Sequence, residues 1–186
     1  MKALDVIAQG LSILGMAMNV LSFQNKKKNG ILLFQLFGAL FFSASYFLLG
    51  AYVGGFLNFI AMVRAIVYLK QKIFHSEHIA WLIGFTVTYV LSYLATFTIL
   101  GKEVTAVNLL VESLPVIGMI LTTISFRMTE AKAIRRIGLI NSPAWLIYNV
   151  IAKSLGASLC EIFSLISILI AMIRLDRNGT KTEINR

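Results

Sequence analysis

The chain is poor in the residues from which soluble enzymes build their chemistry. It has one cysteine, two histidines, two prolines, and eight acidic residues against seventeen lysines and arginines. With only Cys160, inside an apolar run, there is neither a disulfide framework nor a CxxC metal signature. His75 and His78 flank Glu77 in a polar connection, and a solvated loop accounts for that trio better than a metal site does. HExxH, GxSxG and Gly-rich phosphate loops are missing too. The site checklist therefore leaves two buried glutamates with no nucleophile or metal cluster beside them, and predicts neither an enzyme nor a cofactor.

Charge as a whole is scarce. Only 13% of residues are charged while 58% are hydrophobic, against about a quarter and about half in soluble domains, so the chain reads as a polytopic membrane protein. The net charge of +9 does not signal nucleic acid, because no basic stripe carries interleaved stacking aromatics. Lys2 precedes Asp5, and the triple lysine follows the first apolar run, the reverse of a signal peptide's charge order. That first run is expected to be a true span.

Runs long enough to cross a bilayer of about 30 Å fall near 4–23, 30–50, 52–70, 79–100, 104–126, 137–153 and 156–175. Lys and Arg cluster at alternate ends. Thirteen lie at one set, including Lys26, Lys27, Lys28, Arg135, Arg136 and Arg174, and three at the other: Lys2, Lys102 and Lys153. Retention of basic residues on the cytoplasmic side predicts seven spans, with the N-terminus outside and the C-terminus in the cytoplasm. Arg64, inside the third span, is expected to extend its head toward the cytoplasm.

An internal repeat underlies the pattern. Shifted by 103 residues without gaps, SILGMAMNVLSF (12–23) falls on PVIGMILTTISF (115–126), and basic connection falls on basic connection. Three spans in each repeat leave the fourth to restore orientation. The predicted fold is all-α, a 3+1+3 arrangement of two parallel triple-helix repeats. Residues 1–75 form the first repeat, 76–103 the linker helix, 104–176 the second repeat, and 177–186 a cytoplasmic tail. Transporters use parallel repeats to place a substrate site between them.

The polar positions keep the same offset. Asp5, Gln9, Ser12, Met16 and Asn19 lie on one face of the first span, and Asn108, Glu112, Pro115, Met119 and Thr122 on the fifth. Asn141, Trp145, Tyr148 and Asn149 form a stripe on the sixth, answered on the second by Gly38, Phe42, Ser45 and Tyr46. Asn58 on the third matches Glu161 on the seventh. Small and hydroxyl residues on such stripes serve helix packing. The carboxylates differ: a charged acid near the bilayer centre costs about 2.5–3.5 kcal/mol on insertion scales, so Glu112 and Glu161 must be protonated, paired or lining a wet cavity. Lys153 is the expected partial partner of either.

The 3+1+3 plan resembles the SWEET/PQ-loop group of small-solute carriers and the similar PnuC-type vitamin-precursor carriers. More closely, SFQNKKKNG, FGALFFSASYFLLGAYVGGFLNF and SPAWLIYNVI resemble the YgjV-type family of bacterial inner-membrane proteins over nearly the whole chain. The SWEET resemblance implies a central pocket faced by a pair of third-helix residues, here Asn58 and Glu161, with Phe42 and Trp145 as aromatic walls. Tyr46, Tyr148, Asn149 and Glu112 complete the candidate binding set, and Pro115 and Pro143 are the candidate hinges. One asparagine of the SWEET pair is a glutamate here, which turns the expected solute away from neutral sugars toward a small polar molecule, cations included. The first repeat has Ser12 and Ala39 where the second has its prolines, and no proline-glutamine pair occurs. The competing expectation is a non-transporting membrane scaffold or partner-binding subunit with a carrier-like bundle. The bilayer is the one surrounding partner that composition demands, and a homo-oligomer is compatible with it.

Overall fold

The structure is a computed structural model and describes residues 3–48, 52–99, 101–151 and 155–176. Long helices are α1 (Ala3–Ser22), α2 (Lys28–Leu48), α3 (Tyr52–Leu69), α5 (Ile79–Thr98), α6 (Ala106–Arg127), α7 (Ala131–Ile151) and α8 (Leu155–Ala171). A single turn, α4 (Gln71–Phe74), follows α3, and a π-helical turn, Met172–Asp176, continues α8. No strand occurs among the described residues. The tight connections expected near 50–52 and 153–156 centre on residues 49–51 and 152–154, which lie outside the described residues, as does the tail from 177.

Local chemistry sets the helix ends. Thr105 caps α6 by accepting the Asn108 amide at 3.1 Å, and His78 Nδ1 caps α5 by accepting that of Ala80 at 3.2 Å. Asn25 Nδ2 donates to the last carbonyls of α1, Leu21 and Ser22. Gly101, at φ +67°, makes the turn between α5 and α6 without a Cβ penalty. His75 faces Glu77 at 3.5 Å in the exposed connection after α4. Glu77's own backbone amide, helped by His75, holds its carboxyl below the usual range.

Two of these boundaries depart from the sequence reading. Residues 71–74 wind into a helical turn within the polar connection, and α7 begins at Ala131, six residues before the apolar run. Lys132, Arg135 and Arg136 sit on that first stretch; hydropathy rejects them, while an alanine-containing, helix-favouring sequence does not.

Among the described residues, five helices suit a membrane crossing by length and composition: those at Leu4–Ser22, Lys28–Leu48, Ile79–Thr98, Ala106–Arg127 and Ser158–Asp176. The apolar part of α3, Gly55–Leu69, is shorter, and α7 carries its basic first turns. Large apolar side chains cover the outside of the bundle, among them Ile13, Leu33, Phe56, Leu91, Ile140 and Ile170. In water such a surface is a liability; in hydrocarbon it is the required one.

The helices close a ring. In space α2 lies between α1 and α3, and α7 between α6 and α8. One seam joins α1 to α8, and the other joins α3 to α6. A shift of 103 residues carries each seam onto the other. Helix α5 lies outside the ring, packed on α6. The buried core gathers toward the basic ends of the helices, around Ile31, Tyr68, Phe85, Phe126 and Ile134. There Tyr68 meets Phe126 edge-on at 5.9 Å, and Phe85 stacks with Tyr89 at 6.3 Å.

Candidate functional site

Inside the ring lies a cavity of about 840 Å³, lined from all six ring helices and from α5. That volume falls within the span of small-molecule sites. All eight candidate binding residues line it: Phe42 and Tyr46 from α2, Asn58 from α3, Glu112 from α6, Trp145, Tyr148 and Asn149 from α7, and Glu161 from α8. Of the two candidate hinges only Pro115 does so, buried in α6; Pro143 is exposed on the outside of α7. Both helices run unbroken through their prolines.

Aromatic rings stand on opposite walls. Phe42 and Tyr46 stack at 6.4 Å, one turn apart on α2, while Trp145 and Tyr148 meet edge-on at 6.1 Å on α7. Each wall leans on a glycine. A Cβ on Gly15 would meet the Phe42 ring at 3.0–3.1 Å; on Gly118 it would run into the Trp145 indole nitrogen and meet Asn141 Oδ1 at 2.7 Å. Gly15 and Gly118 are 103 residues apart, as are Phe42 and Trp145. The helix-to-helix contact is therefore the same in both halves, with an indole in place of a phenyl.

Polar groups between the walls are partly spent on one another. Ser12 and Ser45 share a hydrogen bond at 2.7 Å, and Ser45 also donates to the Ala8 carbonyl at 2.8 Å, joining α1 to α2. Asn141 Nδ2 donates to Thr122 Oγ1 at 2.9 Å, joining α7 to α6, while its buried Oδ1 has no partner. These bonds absorb the bland role expected of hydroxyls on an inward stripe.

The two glutamates separate. Glu112 forms an ion pair with Lys102, which reaches down from the α5–α6 connection. Lys153, the partner expected from sequence, lies outside the described residues. Glu161 hydrogen-bonds to the Ser142 hydroxyl of α7 and has no ion pair among the described residues. Among the described residues it is thus the cavity-lining acid without a counter-ion.

Arg64 corrects the sequence reading. Instead of reaching out to the basic surface it is 5% exposed and lines the cavity. Its Nη1 donates to Tyr89 Oη at 3.1 Å, the Met119 carbonyl at 3.2 Å and Thr123 Oγ1 at 3.3 Å, and its guanidinium lies 4.9 Å from the Phe126 ring centre. Acceptors from α5 and α6 hold the head where snorkelling would otherwise take it to water. Position 64 lies three residues past Ala61 on the face that begins at Asn58, so helical spacing already carried the signal. Tyr89, Ser92 and Tyr93 of α5 also reach the cavity, although that helix was expected to serve only as a linker.

Among the described residues no three His, Cys, Asp or Glu side chains converge as a metal site would require. No curated protein and no solved structure matches the chain. The sequence pattern of a bacterial inner membrane protein family, Imp-YgjV, matches residues 6–179, nearly the whole of this helical bundle. The chain belongs to that family and is a multi-pass protein of the bacterial inner membrane.

Proposed function

We propose that this protein is a carrier that moves a small polar solute, cations included, across the inner membrane by alternating access between its two triple-helix repeats. In this reading all seven long helices cross the bilayer in a 3+1+3 plan, with the N-terminus outside and the C-terminus in the cytoplasm. The observation that carries it is the cavity: a space of about 840 Å³, mainly apolar in its walls but with polar side chains turned into it, at the centre of an apolar-surfaced helix ring. A scaffold gains nothing from such a space, since each polar group turned into it forgoes packing in a medium where packing holds helices together.

The solute stacks between Phe42 and Trp145 and hydrogen-bonds to Asn58, Asn149 and Tyr148. Glu161 attracts a cationic group or carries a coupling proton. Glu112, already neutralised by Lys102, sets the polarity of the outer half. The two repeats rock at the α1–α8 and α3–α6 seams, with Pro115 and Pro143 as points of compliance in α6 and α7. The reading is of a carrier, not an enzyme.

The test is uptake by proteoliposomes containing the purified chain, with a panel of labelled sugars, nucleosides, vitamins and amines. At least one class accumulates, and Glu161→Gln abolishes the accumulation or its dependence on a proton gradient. If no member of the panel enters and none shifts the melting temperature, the carrier reading fails and a non-transporting scaffold takes its place.

A further inference from the structure

The cavity contains a buried positive charge with no described carboxylate in contact with it. Arg64 is buried, and among the described residues no carboxylate pairs with it. Burying an unpaired cation in a membrane protein is costly, and such residues mark ion or substrate pathways.

The way its hydrogen bonds are spent is more telling. A guanidinium has five N–H donors in a fixed fork. Tyr89, Thr123 and the Met119 carbonyl all crowd Nη1, which has only two hydrogens. Nε is buried with no acceptor at all. The Nε–Nη2 edge is one of the parallel pairs of donors that match the two oxygens of a carboxylate or phosphate. Phe126 covers the guanidinium and Tyr89 and Thr123 pin its far nitrogen, so the head is pre-oriented with one recognition edge left over.

We propose that Arg64 is an oxyanion-binding site in the cavity, which takes a carboxylate or phosphate group on the Nε–Nη2 edge of its guanidinium. The site stands about six residues, or about 9 Å of helix rise, from Asn58 toward the basic end. A solute reaching both levels has a polar or cationic part near Asn58 and Glu161 and an anionic part near Arg64. The identity of the site as a stop along a transport route rests on the carrier reading; its ability to hold an oxyanion does not.

The experiment titrates the full chain in lipid nanodiscs with acetate and, separately, with inorganic phosphate, in chloride buffer, by calorimetry. At least one of them binds saturably, and which one distinguishes the carboxylate from the phosphate form of the site. Arg64→Gln weakens that binding by about tenfold or more, the scale of losing a charge-assisted pair of hydrogen bonds. Arg64→Lys keeps the charge but not the fork, so it retains part of the binding and serves if Arg64→Gln does not fold. Saturation by neither anion overturns the site, and so does wild-type affinity in either variant. Uptake run in parallel separates the two readings. Anion binding without uptake of any solute leaves the site and removes the carrier. Solute uptake indifferent to acetate, phosphate and Arg64→Gln leaves the carrier and removes the site.

Discussion

The two seams of the ring occupy equivalent places and are made of different chemistry. At the α1–α8 seam, Gln24 Nε2 donates to Ser167 Oγ at 2.8 Å and to the Ser167 carbonyl at 2.6 Å, and Ser167 Oγ donates to the Val20 carbonyl at 2.6 Å. At the α3–α6 seam the position equivalent to Ser167 is Arg64, and the position equivalent to Val20 is Thr123, to which Arg64 is bonded. A serine closes its seam with one short hydroxyl and has nothing left to offer. An arginine in the same place stands off from its neighbour, needs several acceptors, and has donors remaining. One duplicated geometry therefore yields a sealed seam on one side and an unsatisfied cation on the other.

The reinforcement differs as well. Behind the α3–α6 seam lies α5, whose Tyr89 reaches both Arg64 and Thr123. No helix backs the α1–α8 seam among the described residues. Its basic end is instead latched by Arg135 of α7, which pairs with Asp176 after α8 and donates to the Asn25 carbonyl after α1 at 2.8 Å. The corresponding tie at the other seam is a hydrogen bond from Arg127 to the Glu77 carbonyl at 2.8 Å, in an exposed setting.

The sharpest way to break this contrast is at the latch. Arg135 and Asp176 are 3% and 8% exposed, so Arg135→Ala strips a buried carboxylate of its ion-pair partner. The expected loss is about 3–5 kcal/mol, read from reversible unfolding in mixed micelles. Removing both charges with Arg135→Gln and Asp176→Asn recovers part of it; a loss in the single variant no larger than in the double one refutes the latch.

A smaller effect separates the two aromatic walls. Gly118→Ala drives a methyl into the Trp145 indole and Asn141, and costs about 1–3 kcal/mol as overpacking. Gly15→Ala meets only the face of Phe42, which tilts away, and costs less. Melting temperatures rank the two variants, and a change in tryptophan fluorescence accompanies only the first. Equal costs would mean that the walls are interchangeable.

Smallest is the pair of hydroxyls at the seams. Ser167→Ala removes the Val20 and Gln24 side-chain bonds and costs about 0.6–1.7 kcal/mol, from the average to the largest value found for interhelical hydrogen bonds in a membrane bundle. Thr123→Val costs less, because Arg64 keeps Tyr89 and the Met119 carbonyl. Thermal unfolding of both variants gives the ranking; the reverse order would place the main strength of the ring at the α3–α6 seam.

Much of the candidate site was legible because its residues sit on helices, whose 3.6-residue period is a local property. Asn141, Trp145, Tyr148 and Asn149 read as one stripe before any packing was known, and all four line the cavity. The start of α7 was not legible by hydropathy, because the one buried charge of its first turns, Arg135, is satisfied by a partner forty-one residues away, at Asp176. The Glu112 ion pair was not legible for a similar reason. Lys102 stood at the right end of the membrane, but the course of the α5–α6 connection is what brings it to Glu112.

By itself the sequence determined the membrane class, the number of the long helices, and the inward side of the six that form the ring. These depend on composition and on spacing within about twenty residues, where the backbone leaves few choices. The tertiary structure alone decided where Arg64 would put its charge. A side chain that long reaches either the surface or the centre from the same helical position. The choice was made by Tyr89, Met119 and Thr123, between twenty-five and fifty-nine residues away along the chain, which supply acceptors on the inner side.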